Sequence, residues 1–416
     1  MVKLAVIADD LTGALDTGIK FSKRGINTRV FTSLPLPFNE ISGDTEAIII
    51  DTETRHKSSK AAGGLVFELV SACQEQGIHC FYKKTDSALR GHVGAELAAL
   101  YKASGKPVHF IPALPEEDRY TWGGIHYIRG VPVSDSIFGK DPFNPVTCSS
   151  VCHLIQMETN VPTISVPAAA PAKVPDTPAG IVIHDGRSEE DLTGIGMNLK
   201  EKQALDITAG CAGFARFLAD HLDFHYRDPT SWQKKKKMIV LSGSINEVTG
   251  RQLTRAEEKG FFRHSLSSCE KLDSHFFDTP EGAVFLNSIE EECLRHDKVI
   301  IDVYSPDAIE EVKDYARRKG IPGREIAPRI AARMGELFTR IIDILPESLI
   351  MIIGGDTLFS AISQCPGLIL NPIGEPASGT VLIKGTAGDH TLSLLSKSGG
   401  FGGEDILIDL ANQLLF

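Results

Sequence analysis

Two adjacent carboxylates, Asp9 and Asp10, directly follow an apolar run at residues 4–8. The run predicts a buried strand, and Thr12 and Gly13 lead from the aspartates into a helical pattern. One aspartate could simply cap that helix by accepting its first amide protons. Two adjacent aspartates cannot easily share this task, so we expect one of them to face a ligand.

Basic side chains follow two further apolar runs. Arg55 comes after residues 46–51, and Lys84 comes after residues 79–83. An arginine can bind a carboxylate through two parallel hydrogen bonds, and a lysine can add a point charge. The other candidates in this segment directly follow Lys84 and are Asp86, Ser87 and Arg90. Any one of these charges could be a solvated loop residue, but their recurrence after successive strands favours a site for a small acidic ligand.

Three turns of small residues mark the second half of the chain, at 242–244, 354–357 and 399–402. Glycine lets a backbone approach a phosphate, and amides at a helix N-terminus donate to it. One such turn is weak evidence, whereas three favour phosphate or nucleotide binding. The chain has neither a Walker A motif nor G-x-G-x-x-G after its first strand, which argues against a P-loop ATPase and an ordinary dinucleotide dehydrogenase.

A regular alternation of strands and helices must position the charged residues of the first part. The predicted strands are 4–8, 27–32, 46–51, 79–83 and 108–112, and helical patterns cover about 58–76 and 93–101. Such alternation predicts an α/β fold with a doubly wound, mostly parallel sheet. Because ligands bind outside the carboxyl ends of the strands in such sheets, Asp10, Arg55, Lys84 and Asp86 are expected to converge.

The remaining segments complete two α/β domains. Residues 120–133 predict an antiparallel pair or extended flap, in which His126 either contacts substrate or is structural. Five prolines between Pro162 and Pro178 predict a stiff connection. Further strands are predicted at 180–185, 238–241, 299–304, 349–353, 381–383 and 392–395, and a long helix at 326–344.

Length and charge limit the classes of protein to which the chain can belong. Its 416 residues predict two domains, and the basic run 234–237 is interpreted as a solvated linker between them. The formal net charge of −11 argues against a nucleic-acid surface, and no apolar stretch is long enough to span a membrane. The N-terminus lacks the pattern of a signal peptide, so a cytoplasmic protein with reduced cysteines is expected.

Four motifs resemble those of the four-carbon acid sugar kinases. They are Ala8–Ala14, Lys84–Gly91, Gly354–Thr357 and Lys397–Gly402, in the family's order along nearly the whole chain. The resemblance implies ATP-dependent phosphorylation of the terminal hydroxyl of an acid such as D-threonate, D-erythronate, L-threonate or a 3-oxo-tetronate. It implies a sugar-acid-binding domain at 1–230, a nucleotide-binding domain at 237–416 and an active site in the cleft between them. Thr85 and Asp356 stand where the family more often has an aliphatic residue and a glutamate, which leaves the subfamily open.

The resemblance also assigns roles to residues. Arg55 and Lys84 would hold the substrate carboxylate and hydroxyls, and Asp10 or Asp86 would orient the attacking hydroxyl and accept its proton. The expected substrate-binding residues are Asp9, Asp10, Thr12, Arg55, Lys84, Asp86, Ser87 and Arg90, with Asp10, Lys84 and Asp86 as catalytic candidates. Mg²⁺ would bridge the phosphates of ATP. The expected nucleotide-binding residues are Ser242, Gly243, Gly354, Gly355, Asp356, Thr357, Lys397, Gly399, Gly400 and Gly402.

Two other functions stay open at this point. One is a kinase for 4-hydroxy-L-threonine, whose shape is close to that of threonate. The other is a non-catalytic sensor that binds a sugar acid and a nucleotide. No nucleic-acid or membrane partner is expected, the sequence assigns no metal ligand, and a homodimer is the candidate assembly because enzymes of this size are often symmetric dimers.

Overall fold

The computed structural model describes residues 1–141, 144–167, 179–228, 230–304, 308–387 and 390–416. The chain forms two compact units, Met1–Pro229 and Thr230–Phe416. Most of the proline-rich connection predicted between Pro162 and Pro178 lies outside the described residues, but its first part, Thr163–Val166, is a sheet strand and not a connection. Within those residues, no helix combines the length and the apolar character needed to cross a membrane.

The first unit alternates strands and helices, as the sequence predicts. Its strands are β1 (Leu4–Ala8), β2 (Thr28–Phe31), β3 (Ala47–Asp51), β4 (Phe81–Lys84), β5 (Val108–Ile111), β6 (Arg119–Trp122), β7 (Ile125–Ile128), β8 (Val131–Pro132), β9 (Thr163–Val166), β10 (Ile181–His184) and β11 (Ile207–Gly210). Its helices are α1 (Leu11–Ser22), α2 (Ser59–Glu75), α3 (Val93–Ser104), α4 (Val151–Gln156), α5 (Glu189–Glu201) and α6 (Ala212–His221). Short 3-10 helices cover Phe38–Glu40, Pro115–Glu117, Val133–Asp135 and Ile137–Lys140.

Eight strands of the first unit form a parallel sheet in the order β2-β3-β1-β4-β11-β5-β10-β9. The predicted antiparallel segment is confirmed as a separate sheet of β6, β7 and β8. The strand β11, which lies between β4 and β5, was not predicted from the sequence. The register aligns one row of residues across the carboxyl edge: Asp51, Ala8, Lys84, Gly210 and Ile111.

The second unit is also α/β. Its strands are β12 (Met238–Ser242), β13 (Phe262–Ser265), β14 (Lys298–Asp302), β15 (Leu349–Ile353), β16 (Ile369–Gly374), β17 (Thr380–Ala387) and β18 (His390–Lys397). Its helices are α7 (Glu247–Glu258), α8 (Ser268–Leu272), α9 (Pro280–Arg295), α10 (Ala308–Arg318), α11 (Gly323–Ile344), α12 (Gly355–Ser363) and α13 (Ile406–Leu414), with a 3-10 helix at Phe276–Asp278.

Within the second unit the strand order is β13-β14-β12-β15-β18-β17-β16. The five strands from β13 to β18 pair in parallel, and β17 and β16 add antiparallel pairs. Apolar side chains of the parallel strands pack with α13 in one buried cluster, which includes Val240, Met351, Leu395, Leu407 and Leu410. Removal of these side chains from water stabilises the fold of the unit.

The basic run 234–237 differs from the solvated linker that the sequence predicts. Lys235 N donates to Leu414 O over 3.1 Å, and the indole of Trp232 donates to the same carbonyl over 3.2 Å. Lys237 Nζ donates to Leu294 O over 2.8 Å. The run is therefore part of the second unit, in which Lys235 and Lys237 are half-buried while Lys234 and Lys236 are exposed to solvent as predicted.

Candidate active site

The carboxyl edge of the first unit's sheet carries the predicted charged residues. Asp9 and Asp10 follow β1, Arg55 lies in the loop after β3, and Asp86 follows β4. Arg55 Nε donates to Asp9 Oδ2 over 2.9 Å, and its Nη1 donates to Asp10 Oδ2 over 2.8 Å. Arg55 Nη2 lies 3.7 Å from Asp86 Oδ1. The structure therefore brings these four residues together.

The two adjacent aspartates have different surroundings. Asp10 Oδ1 accepts a hydrogen bond from Gly13 N over 2.9 Å, so Asp10 is the residue that caps α1. Asp9 is only 2% exposed, and its Oδ1 has no partner among the described residues. Burial opposes ionisation of Asp9, but the charges of Arg55 and two nearby lysines outweigh it and lower the pKa of this carboxyl. Asp9 is thus a buried carboxylate held by Arg55.

Asp86 is the best-satisfied carboxylate of the site. Arg90 Nε and Nη2 donate to its two oxygens, each over 2.9 Å, and the backbone amides of Ala88 and Arg90 donate to Oδ2. Burial disfavours the charged form, but the Arg55 charge and the Arg90 bond hold the pKa of Asp86 far below its usual range. An acid held so firmly in its ionised form is a weak proton acceptor. Its geometry suits the ordering of its own loop.

The adjacent lysines of β4 are both buried but have different partners. Lys83 Nζ lies 3.0 Å from Glu96 Oε2 of α3. Lys84 Nζ donates to the backbone carbonyl of Thr85 over 2.8 Å, and no carboxylate of the described residues lies within 4.0 Å of it. A Cβ on Gly13 would lie 2.7 Å from Lys84 Nζ, so glycine leaves room for this ammonium. Lys84 is therefore a buried cation that interacts with Asp9 and Asp86 only at longer range and makes no direct ion pair, which suits it to bind an anionic ligand.

Ser87 and His126 are linked beside this edge, and Thr12 lies half-buried in the first turn of α1. The hydroxyl of Ser87 accepts from Arg119 Nη1, and its carbonyl lies 2.9 Å from His126 Nε2. The other ring nitrogen of His126 lies 3.0 Å from Thr121 Oγ1. Burial lowers the pKa of His126 to about 4. A neutral, fully buried histidine with two partners favours the structural interpretation.

Two carboxylates at this edge were not among the sequence candidates. Asp51 ends β3, and its Oδ1 accepts from Glu53 N over 3.1 Å, while Glu53 Oε1 accepts from Leu11 N over 3.1 Å. Burial raises the pKa of Asp51 well above its usual value and that of Glu53 to about 7. Glu53 also has φ of +44°, which is rare for a residue with a side chain and common at functional sites. Both residues lie at the carboxyl end of β3, as Arg55 does. The rule that ligands bind at the carboxyl ends of parallel strands could therefore have identified them from the sequence.

The second unit also has candidate functional residues at the carboxyl edge of its parallel strands. Its register aligns Asp302, Ser242, Ile353 and Lys397 at the carboxyl ends of β14, β12, β15 and β18. Gly243 N donates to Ile353 O over 3.3 Å, and Gly354 N donates to Lys397 O over 3.1 Å. The three small-residue turns found in the sequence therefore lie side by side.

Close backbone approaches explain several of the glycines in these turns. A Cβ on Gly243 would lie 2.1 Å from Thr357 Oγ1, and a Cβ on Gly399 would lie 2.7 Å from Ser244 Oγ. Gly354 has φ of +110°, a conformation that requires glycine. It precedes α12, which has no side-chain cap. The uncapped amides at this helix start are donors of the kind that bind phosphate.

Two side chains at the same edge have unusual surroundings. Lys397 is 3% exposed, and its Nζ donates only to backbone carbonyls, those of Ser398 over 3.0 Å and Gly399 over 3.5 Å. Burial lowers the pKa of Lys397 to about 8. The hydroxyl of Ser242 is fully buried and has no partner within the described ranges. A bound phosphate would give the Ser242 hydroxyl a hydrogen-bond partner and the Lys397 ammonium an anionic one.

The other predicted nucleotide-binding residues lie more openly. Gly355, Asp356, Gly400 and Gly402 are exposed, and Thr357 is buried against Gly243. Gln252 Nε2 holds the last turn by donating to the carbonyls of Phe401, Gly402 and Gly403 over 2.9, 3.0 and 3.1 Å. Gln252 was not predicted from the sequence, since a glutamine in an amphipathic helix carries no signal of such a contact.

The donor set of the described residues contains no group of three or more histidine, cysteine or acidic side chains arranged to hold a metal ion. Mg²⁺ does not need one, since it is commonly bound through substrate phosphates, waters and one or two carboxylates. Asp356, an exposed carboxylate in the first turn of α12, is the residue that could contact such an ion. These residues therefore fit Mg²⁺ that arrives with a nucleotide.

Two family models match most of this chain. Residues 4–218 match the family model described as a sugar-binding N-terminal domain, and residues 239–407 match the one described as a nucleotide-binding C-terminal domain. The crystal structure of the Haemophilus influenzae protein HI1011 has a TM-score of 0.77 at 19% identity and covers 99% of this chain and 100% of its own. The fold is therefore shared.

Three curated relatives are kinases of four-carbon acids. A D-threonate kinase of Salmonella typhimurium is 26% identical, over 98% of this chain and 97% of its own. A D-erythronate kinase of Heliobacterium modesticaldum is 27% identical, over 83% and 81%. A 3-oxo-tetronate kinase of Pectobacterium atrosepticum is 26% identical, over 97% of each chain. The relatives agree on the reaction and differ in the acid.

Proposed function

The chain belongs to the four-carbon acid sugar kinase family, and we propose that it phosphorylates the terminal hydroxyl of D-threonate or D-erythronate with ATP. The observation that carries this proposal is the state of Lys84. It is a buried ammonium with no carboxylate partner among the described residues, on the edge that also holds Asp10. A sugar acid would supply Lys84 with a direct carboxylate partner, and its hydroxyls would reach the nearby aspartates.

The roles of the carboxylates follow from their surroundings. Arg55 fixes Asp9 and Asp10, so that the partly exposed Asp10 is oriented to accept a hydrogen bond from a substrate hydroxyl. Both carboxylate oxygens of Asp86 already accept hydrogen bonds from Arg90, so Asp86 is a poorer candidate for this role. Phosphoryl transfer depends mainly on positioning and charge stabilisation, so a modest proton acceptor is sufficient. We assign orientation of the attacking hydroxyl to Asp10.

Glu53 is a second candidate for the proton acceptor. Burial raises its pKa to about 7, which is close to the best value for general-base catalysis near neutral pH. Its contact with Leu11 N places it beside the start of α1, next to Asp10. A proton released by the hydroxyl could pass to this carboxyl at little cost.

The nucleotide is assigned to the second unit. The uncapped start of α12, Lys397 and the Ser242 hydroxyl would bind the phosphates, and Asp356 would contact Mg²⁺. Bound Mg²⁺ neutralises charge that develops on the transferred group. Lys397 would stabilise the same charge from the protein side.

The experiment is a coupled ATP-consumption assay with Mg²⁺ against a panel of acids. The panel is D-threonate, L-threonate, D-erythronate, L-erythronate, a 3-oxo-tetronate and 4-hydroxy-L-threonine. We expect turnover with D-threonate or D-erythronate and a product whose phosphorus couples to the terminal CH₂ in its NMR spectrum. Preference for a 3-oxo-tetronate or for 4-hydroxy-L-threonine would show that the proposed substrate is wrong and that the proposed reaction, phosphorylation by ATP, is right.

A binding measurement separates the enzyme from a sensor. Calorimetric binding of ATP and of an acid without turnover of any panel member would contradict catalysis. Lys84→Met serves as the matched variant, because methionine has a similar volume and no charge. It should remove turnover, while ATP binding to the second unit stays unchanged.

A further inference from the structure

The two arginines that the sequence offered to the substrate carboxylate already have carboxylate partners. Arg55 is bound by Asp9 and Asp10, and Arg90 makes two parallel bonds to Asp86. Their positive charges are already compensated, so a further anion would gain less from them than from a cation that has no carboxylate partner. Such a cation is the better candidate for the carboxylate of the sugar acid.

Arg119 is a cation of the first unit that lacks such a partner. It begins β6 and is half-buried. Its Nη1 donates to the neutral hydroxyl of Ser87, and its Nε is buried without a partner in the part of the chain that the structure describes. No described carboxylate lies within 4.0 Å of it. Buried guanidinium nitrogens are normally hydrogen-bonded, so Arg119 has donors that an anion could use.

Arg119 also lies against the loop that carries the other site residues. Its guanidinium carbon is 5.4 Å from the centre of the Phe138 ring, and that of Arg90 is 5.2 Å from the same ring. Ser87, which it contacts, follows Asp86 directly. Stacking on an aromatic ring fixes a guanidinium plane without using its hydrogen-bond donors.

Lys84 approaches the same region from β4. Lys84 pairs in register with Gly210, the residue before Cys211. Cys211 Sγ contacts Ala113 O, and the next residue, Leu114, pairs with Arg119, so both cations lie near Cys211, the residue before α6. The start of α6 has no side-chain cap, since the thiol of Cys211 donates to Ala113 O over 2.9 Å instead. Its amide dipoles add to the positive potential.

We propose that Arg119 and Lys84 together bind the carboxylate of the sugar acid, beside Ser87 and the start of α6. This inference rests on the proposed function, because it names the residues that recognise the acid group of that substrate. Arg119 supplies two donors in a plane, and Lys84 supplies the opposing point charge. The terminal hydroxyl is then left for Asp10.

The test compares an acid with its uncharged amide in equilibrium binding without ATP. Wild-type protein should bind D-threonate, or whichever panel acid it turns over, at least tenfold more tightly than the corresponding amide. Arg119→Met should weaken binding of the acid by 10- to 100-fold and leave binding of the amide and of ATP unchanged. Arg119→Lys keeps the positive charge but loses the planar guanidinium. Its affinity for the acid should lie between those of the wild type and Arg119→Met.

Arg187→Met is the matched control. Arg187 is exposed, and its guanidinium carbon lies 5.2 Å from the ring of Tyr120 in β6, so the variant perturbs the same small sheet without contacting Ser87. It should bind the acid like the wild type. Thermal unfolding of each variant shows whether it is folded.

Wild-type affinity for the acid in a folded Arg119→Met protein would overturn the role of Arg119. An equal loss for acid and amide would also overturn it, because the arginine would then act only through the fold. Failure of the proposed function looks different: no panel acid is turned over, while the acid-versus-amide comparison in binding still reports on Arg119.

Discussion

Arg55 donates from Nη1 to Oδ2 of Asp10 across 2.8 Å, while Oδ1 of the same carboxylate caps α1 through Gly13 N. One side chain thus joins the end of β1, the loop after β3 and the start of α1. Its orientation is fixed from both sides before any substrate binds. Such preorganisation is what phosphoryl transfer needs most from an active site.

Asp10→Asn keeps a side chain that can cap α1 but removes the negative charge, so it tests the two roles of Asp10 separately. Asparagine is as good an N-cap as aspartate, so the free energy of unfolding should change by less than about 1 kcal/mol. Turnover should fall by about 100-fold or more, because the neutral amide pairs weakly with Arg55 and accepts no proton. The measurements are urea unfolding and kcat for the preferred acid.

Asp10→Ala is the control for the cap. It should lose about 1 kcal/mol of stability in addition to the activity. Near-normal turnover in Asp10→Asn would remove Asp10 from the mechanism and shift the role of proton acceptor to Glu53.

Glu53→Gln should change how stability depends on pH. The pKa of Glu53 is about 7 in the folded protein against an ordinary value of 4.5. Between these values the folded state keeps a proton that the unfolded state has released, so wild-type stability falls as pH rises through this window. Glutamine removes that loss, and the stability of the variant relative to wild type should rise by on the order of 1–3 kcal/mol from pH 4.5 to 7.

Glu68→Gln in α2 is the matched control, because Glu68 is exposed. Urea-unfolding midpoints of the three proteins at pH 5, 6 and 7 give the comparison. Parallel pH curves for wild type and Glu53→Gln would mean that Glu53 is not protonated in the fold.

Lys397 should make nucleotide binding depend on pH. Burial lowers its pKa to about 8, so the free protein loses this positive charge as pH rises above that value. The KM for ATP should therefore rise up to tenfold per pH unit between pH 8 and 9.5. Lys397→Arg stays charged and should give a flatter profile. A wild-type KM that stays constant from pH 7.5 to 9.5 would show that Lys397 does not contact the phosphates.

Gly243→Ala should reveal the contact between two nucleotide turns. Its Cβ would lie 2.1 Å from Thr357 Oγ1, and overpacking of this kind costs about 1–3 kcal/mol. Thr357→Ala removes the clashing oxygen, so the double variant should be more stable than the two single effects predict, by about 1 kcal/mol or more. Gly43→Ala is the control, since a Cβ there meets nothing within 4 Å. Additive effects in thermal unfolding would mean that the turns do not touch.

Much of the fold was predictable because it depends on local patterns. The apolar runs that form β1, β3, β4 and β15 are evident in the sequence. Because ligands bind at the carboxyl ends of parallel strands, Asp10, Arg55 and Asp86 were predicted to converge, and they do. The strand β11 was missed, because its four residues include an alanine and a glycine and its place beside β4 depends on long-range pairing.

The chemistry of individual groups was less predictable, because it depends on burial and on partners from distant segments. The raised pKa of Glu53 requires knowledge of its burial, and the saturation of Arg90 by Asp86 requires a three-dimensional distance. The neighbouring lysines of β4 could not be told apart in the sequence, since only the fold shows that Lys83 has a carboxylate partner and Lys84 has none.

This difference between the two lysines can be tested directly. Lys83 is fully buried, its Nζ lies 3.0 Å from Glu96 Oε2, and Glu96 also accepts from Thr54 Oγ1 over 2.6 Å. Lys83→Met leaves that carboxylate buried without its counter-charge and should destabilise the protein by about 3–5 kcal/mol, with much of the loss recovered in Lys83→Met/Glu96→Gln. Lys84→Met should abolish turnover at a smaller cost in stability, since Lys84 makes no direct ion pair and Arg55 still compensates Asp9 and Asp86. Urea unfolding gives the stability of the three variants, and kcat gives their activity. Equal stability of Lys83→Met and Lys84→Met would contradict the pairing of Lys83 with Glu96.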